Sequence, residues 1–178
     1  MWWCNRKRSL LSAAAAALAV LIAGCGFEPL YGRGSVGEVE AQLSSVKIQT
    51  ISGRVGQQVH NYLLDRINRK GRPQDPLYIL SVTLEVDKVR LGIEQDERAT
   101  RVKLVVLASV LLQDIVTEEV LLERWARSTN SYNIVDSAVA TRSAELDAVD
   151  RAAREVSDQI RLMLSLYFRR HNPQPASG

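Results

Sequence analysis

The chain is poor in the residue types that staple folds or perform chemistry. Its 178 residues include two cysteines, two histidines and two phenylalanines, and aromatic residues amount to 6%. Cys4 and Cys25 both lie near the amino terminus, so the remaining length has no thiol for a disulfide or a cysteine metal site. Its imidazoles are His60, among Gln57, Gln58 and Asn61, and His171, in what reads as a fraying carboxyl end. A catalytic site needs a nucleophile with a base, a carboxylate pair or clustered metal ligands. No G-x-S-x-G, H-E-x-x-H or P-loop pattern is present. The sequence therefore reads as non-enzymatic, without metal or cofactor, and held together by its apolar core alone. No apolar run reaches the roughly 20 residues needed to span a bilayer.

What is present begins with Arg6-Lys7-Arg8, an apolar run over 10–22, and Ala23-Gly24 before Cys25, the order of a bacterial export signal. Ile22-Ala23-Gly24-Cys25 resembles a lipobox, at which diacylglycerol is attached to the cysteine sulfur, the signal is cleaved and the new amino terminus is acylated. The expectation is a signal peptide over 1–24 and a covalent lipid on Cys25 as membrane anchor. An uncleaved anchor, or an ordinary signal with an incidental cysteine, is the alternative. Several acyl chains hold a protein firmly where one holds it weakly, each buried methylene contributing about 0.8 kcal/mol. Gly26 stands where an aspartate commonly retains such proteins in the inner membrane, so the expected address is the periplasmic side of the outer membrane. The formal charge of +3 resides in the signal's bases. The mature chain has equal numbers of bases and acids, which removes the electrostatic case for nucleic acid.

Residues 25–45 are rich in glycine and polar side chains and read as a tether between lipid and domain. Within them, Gly32-Arg33-Gly34-Ser35-Val36-Gly37 spells G-x-G-x-x-G, which binds dinucleotides only between a strand and a helix of a βαβ unit. Its place just after the lipid anchor favours the tether.

The domain is expected over 46–171. Alternation over 46–51 predicts a first strand, and Ser52 is a candidate cap for a helix carrying Val55, Val59, Tyr62, Leu63 and Ile67, ended by Gly71 and Pro73. From Leu77 the period becomes two: Tyr78, Leu80, Val82, Leu84 and Val86 share a face, as do Thr100, Val102, Leu104, Val106, Ala108, Val110 and Leu112, around a turn at 92–97. Strands of about 15 residues at about 3.3 Å each give a hairpin near 50 Å long, far beyond the usual 5 to 6 residues, so it is expected to outreach the domain body. Leu77, Ile79, Val105, Leu107 and Leu111 make its base apolar on the second face too. A sheet apolar on both faces needs two covers, one from the protein's own helices and one from a partner or the second helix.

Residues 120–131 predict a fourth strand, and Leu146, Val149, Ala153, Val156, Ile160, Met163 and Tyr167 a terminal helix over about 143–170. That seam also suits a coiled coil, but beside a sheet it reads as a packed helix. Residues 172–178 read as a disordered tail. The expected fold is α+β: a two-layer α/β sandwich of order β-α-β-β-β-α, with a four-stranded, largely antiparallel sheet and two packed helices. Arg90, Arg98, Arg101 and Lys103 gather near the hairpin tip as a candidate site for phosphate or carboxylate groups. Cross-strand pairing with Glu85, Asp87, Glu94, Asp96 and Glu97 is the alternative.

Cys25-Gly26-Phe27-Glu28-Pro29-Leu30-Tyr31-Gly32, Ala126-Arg127-Ser128-Thr129-Asn130-Ser131-Tyr132-Asn133 and Ile160-Arg161-Leu162-Met163-Leu164-Ser165-Leu166-Tyr167-Phe168 resemble the LptE family of lipopolysaccharide-assembly lipoproteins, particularly its alphaproteobacterial members. The resemblance implies a sandwich seated as a plug inside the outer-membrane β-barrel LptD, in the translocon that places lipopolysaccharide in the outer leaflet. It also implies lipopolysaccharide contact through basic side chains. No residue-level match carries those contacts over, so the four cations rest on the residue reading alone. An auxiliary periplasmic lipoprotein of an ABC-type lipid transporter is the competing expectation.

Overall fold

The computed structural model describes residues 35–69, 71–93 and 99–171. The expected signal, lipidation and tail assignments, and Arg98 in the hairpin turn, lie outside the described residues. In chain order the elements are α1 (Ser35–Ser44), β1 (Val46–Ile48), α2 (Gly53–Ile67), β2 (Tyr78–Ile93), β3 (Ala99–Asp114), β4 (Val120–Asn133) and α3 (Ala138–His171). They form the expected α+β sandwich. One four-stranded sheet, in spatial order β1-β2-β3-β4, has β1 parallel to β2 and the other pairs antiparallel.

Alternation decides which face is covered. Leu80 and Val82 of β2 and Val102, Leu104, Val106, Ala108, Val110 and Leu112 of β3 are buried, and Leu80 and Val82 sit directly across from Leu112 and Val110. This face receives Val59, Leu63 and Ile67 of α2 and Ala148, Ala152, Ala153, Val156, Ile160, Leu164 and Phe168 of α3 in one core. Each large apolar side chain so buried contributes about 1.5 to 3 kcal/mol. The buried stripe of α3 runs through small residues that let the helix approach closely. The periodic seam read from its larger side chains is only partly the core face: Leu146 is exposed, and Val149, Met163 and Tyr167 are half-buried.

Two expectations change. The expected tether contains α1, whose Leu43 is fully buried and whose Glu40 accepts from Arg161 Nη2 of α3 at 2.9 Å. Gly37 and the polar residues of 35–44 mask a short helix that is stabilised by docking, as helices of this length require. The helices therefore number three among the described residues. The first strand stops at Ile48, short of 51, because the chain leaves the sheet to bury Ile51 beneath α2. Ser52 occupies the cap position of α2 without making a side-chain cap bond.

Candidate functional site

The second sheet face is the feature of interest. No described helix packs on it, since α1, α2 and α3 share the core face. Register builds it from rows across β2, β3 and β4: Ser81–Leu111–Glu123, Thr83–Ser109–Trp125, Glu85–Leu107–Arg127, Asp87–Val105–Thr129, Val89–Lys103–Ser131 and Leu91–Arg101–Asn133. Along the middle strand, Val105, Leu107 and Leu111 make an apolar spine that is half-buried by its sheet neighbours alone. Trp125 beside it is 60% exposed. Expected from the hairpin's base, this face proves uncovered by the second helix; α3 lies on the opposite side, over β4 and β3.

Toward the hairpin tip, β2 from Glu85 to Leu91 is exposed on both faces, as the excess strand length predicts. Among the described residues it is fastened to the helices by Lys88 Nζ, which donates to Glu145 of α3; Arg142 Nη1 donates to the same carboxylate at 2.6 Å. These hydrogen bonds, that from Lys88 first, hold the Glu145 carboxyl below the usual carboxylate range. The candidate cations do not form one patch. Arg90 lies across from Val102 and so belongs to the helix side, whereas Arg101 and Lys103 project from the open face beside Leu91 and Val89. Pairing inverts side-chain direction at each successive residue, which proximity in sequence conceals. Neither Arg101 nor Lys103 forms an ion pair with a described residue, Glu85 and Asp87 included.

His60 lies in a groove of about 580 Å³ along β1, with Lys47, Asn68 and Arg72. Its Nδ1 donates to the Gln49 carbonyl at 3.2 Å. The described lining contains no serine and no carboxylate side chain. His171 stacks on Tyr167 at 4.1 Å between ring centroids. Among the described residues no group of His, Cys, Asp and Glu is placed to hold a metal ion, and no helix is long and apolar enough to cross a membrane.

One site element was not foreseen from sequence. Gln159 of α3 reaches round to the outer edge of β4: its Oε1 accepts from the Arg127 N–H at 3.1 Å, and its Nε2 donates to the Arg127 carbonyl at 2.9 Å. A side-chain amide thus completes one residue of ladder. Nothing in the pattern around Gln159 signals this, because the contact depends on where α3 crosses β4.

These features define an α/β sandwich with helices on one side of the sheet and, among the described residues, an uncovered face on the other. The family model LptE: Lipopolysaccharide-assembly matches residues 42–164, and the chain belongs to that family. It is similar to a Rickettsia prowazekii protein of uncharacterised role, 24% identical over 151 residues that cover 85% of this chain and 93% of the relative. A solved structure described as a lipoprotein of Caulobacter crescentus is 25% identical, with a TM-score of 0.61, covering 76% of this chain and 98% of that one. The rare lipoprotein B of Shewanella oneidensis shares the fold at 10% identity and a TM-score of 0.56, over 71% and 98% of the two chains. The chain is thus a member of a lipopolysaccharide-assembly family.

Proposed function

We propose that the domain acts without catalysis as a plug for the LptD β-barrel, aiding its assembly and keeping the path of lipopolysaccharide open. A lipid on Cys25 holds it at the periplasmic side of the outer membrane. The observation that carries this reading is the open sheet face, where Val105, Leu107, Leu111 and Trp125 have no cover among the described residues. A partner supplies that cover, since apolar sheet faces gain stability only when water is excluded from them. The outer hairpin, where β2 from Glu85 to Leu91 is exposed on both faces, extends the contact surface.

Depletion in the native host separates this role from that of an auxiliary subunit of an ABC-type lipid transporter. Loss of surface lipopolysaccharide supports the plug, whereas intact lipopolysaccharide with disturbed phospholipid asymmetry supports the transporter subunit. In this reading Arg101 and Lys103, without described ion partners, meet phosphate or carboxylate groups of lipopolysaccharide. The charge-reversed R101E/K103E double variant then binds purified lipopolysaccharide more weakly while unfolding at the wild-type denaturant concentration. Unchanged binding would retire both residues from the site. Arg90 is left out of this role because it faces the helix side.

A further inference from the structure

The sheet has two long edges whose backbone groups are unevenly guarded, and the hydrogen-bond parity tells which groups point outward. Gln49 N–H donates to the Leu80 carbonyl at 2.9 Å, so the even-numbered residues of β2 face away from β3. In an antiparallel ladder, paired residues exchange both bonds and the alternate ones turn both groups away. Carried through the register, this makes the odd-numbered residues of β4 outward, and the Gln159 bonds to Arg127 agree independently. Beyond the short β1, the outward positions of β2 include Val86, Lys88 and Arg90; on β4 they include Thr129, Ser131 and Asn133.

Natural edges are blunted by charge, proline, bulges or a covering element. β2 carries Glu85, Asp87, Lys88 and Arg90 along its free stretch. The first half of β4 has a register shift opposite Leu112 and Gln113, the charges of Glu123, Arg124 and Arg127, and the Gln159 amide. Its second half, Ser128-Thr129-Asn130-Ser131-Tyr132-Asn133, has neither charge nor proline. Outside its ladder with β3, no described residue bonds the backbone of Thr129, Ser131 or Asn133. The inner side of this stretch is fixed: Ser128 Oγ donates to Glu155 at 2.6 Å, and Asn130 Nδ2 donates to Ser128 Oγ at 2.8 Å. A held strand with a bare edge is preorganised to accept another.

The geometry points to the 128–133 edge of β4 as a strand-addition site for an extended, proline-free segment of another polypeptide, with acidic side chains on the open-face side. Backbone donors and acceptors repeating every two residues, about 7 Å, are matched by an extended chain. Arg101, Lys103 and Arg127 on that face, without ion partners among the described residues, supply the charge preference. A second copy is the poorer occupant. Six residues of edge, about 20 Å, are too short to bury the roughly 1,200 Å² of a stable dimer, and it would bring the same cations together.

The test uses the full chain in mild detergent and the capped peptide acetyl-Glu-Thr-Val-Thr-Val-Thr-Glu-amide. At millimolar peptide, amide hydrogen exchange at Thr129, Ser131 and Asn133 slows about tenfold, and that at Val86, Lys88 and Arg90 is unchanged. Ser131→Pro removes an outward N–H while sparing the β3 ladder, and abolishes the protection with unaltered circular dichroism. A peptide N-methylated at alternate amides, which asks nothing of the protein's folding, fails to protect. The inference is overturned by protection on β2, by no protection, by outward β4 amides already slow in the isolated chain, or by slowing that follows protein concentration without peptide, which would identify a second copy.

Discussion

At Gly56, a single hydrogen in place of a methyl group allows α2 to seat over Ile51, in the segment that follows the first strand. A Cβ built there would lie 2.8 Å from Ile51 Cγ2 and 2.9 Å from the Ile51 carbonyl oxygen. Ile51 is itself buried, and one of the two obstructing groups is backbone, so the conflict is not relieved by turning a side chain. Gly56→Ala is expected to destabilise the domain by about 1 to 3 kcal/mol, overpacking outweighing the gain in helix propensity. The shift in urea midpoint measures it; an unchanged midpoint would mean that α2 sits farther out. The sequence made Val59, Leu63 and Ile67 legible as core through their spacing, and they are fully buried. It did not make Ala148, Ala152 and Ser157 legible, because small residues weigh little in an apolar pattern. Only packing reveals that they are small so that α3 can come close.

Between elements, Glu145 joins the outer hairpin to the start of α3 through Lys88 and Arg142. A carboxyl whose folded pKa is lowered contributes stability above its unfolded pKa and loses it as pH falls through the folded value. The wild type is therefore expected to exceed Glu145→Gln in stability at neutral pH by under about 1 kcal/mol, since the pair is partly solvated. The gap closes in acid, below the ordinary carboxylate range, and paired urea titrations at the two pH values read it. At the β4 edge, Gln159→Ala leaves the Arg127 amide and carbonyl to water and is expected to cost about 0.5 to 1.5 kcal/mol. Slower exchange of the Arg127 amide in the wild type than in the variant is the local check. The long hairpin strands and the terminal helix were readable because period two and period 3.6 persist over many residues there. α1 was not, since ten residues with a glycine give too little pattern without the Leu43 and Glu40 contacts that hold them.

Across the whole molecule, fold class followed from element order, while the surfaces depended on register. The notion of four clustered cations came from sequence proximity; pairing separates Arg90 from Arg101 and Lys103. Conversely, the apolar second face was visible as odd-numbered leucines and valines, and the three described helices lie on the other side. Membership of the lipopolysaccharide-assembly family gives that bare face a setting in the cell envelope. In the proposed role, this face is the working surface against a barrel. Its most direct test is co-purification from native membranes in mild detergent, comparing the wild type with the L107E/W125E variant, whose two changes lie outside the buried core. A one-to-one complex with the LptD barrel is expected for the wild type and its loss for the variant, with the isolated variant still folded. A wild-type lipoprotein recovered alone, or a variant retained as fully as the wild type, would contradict it.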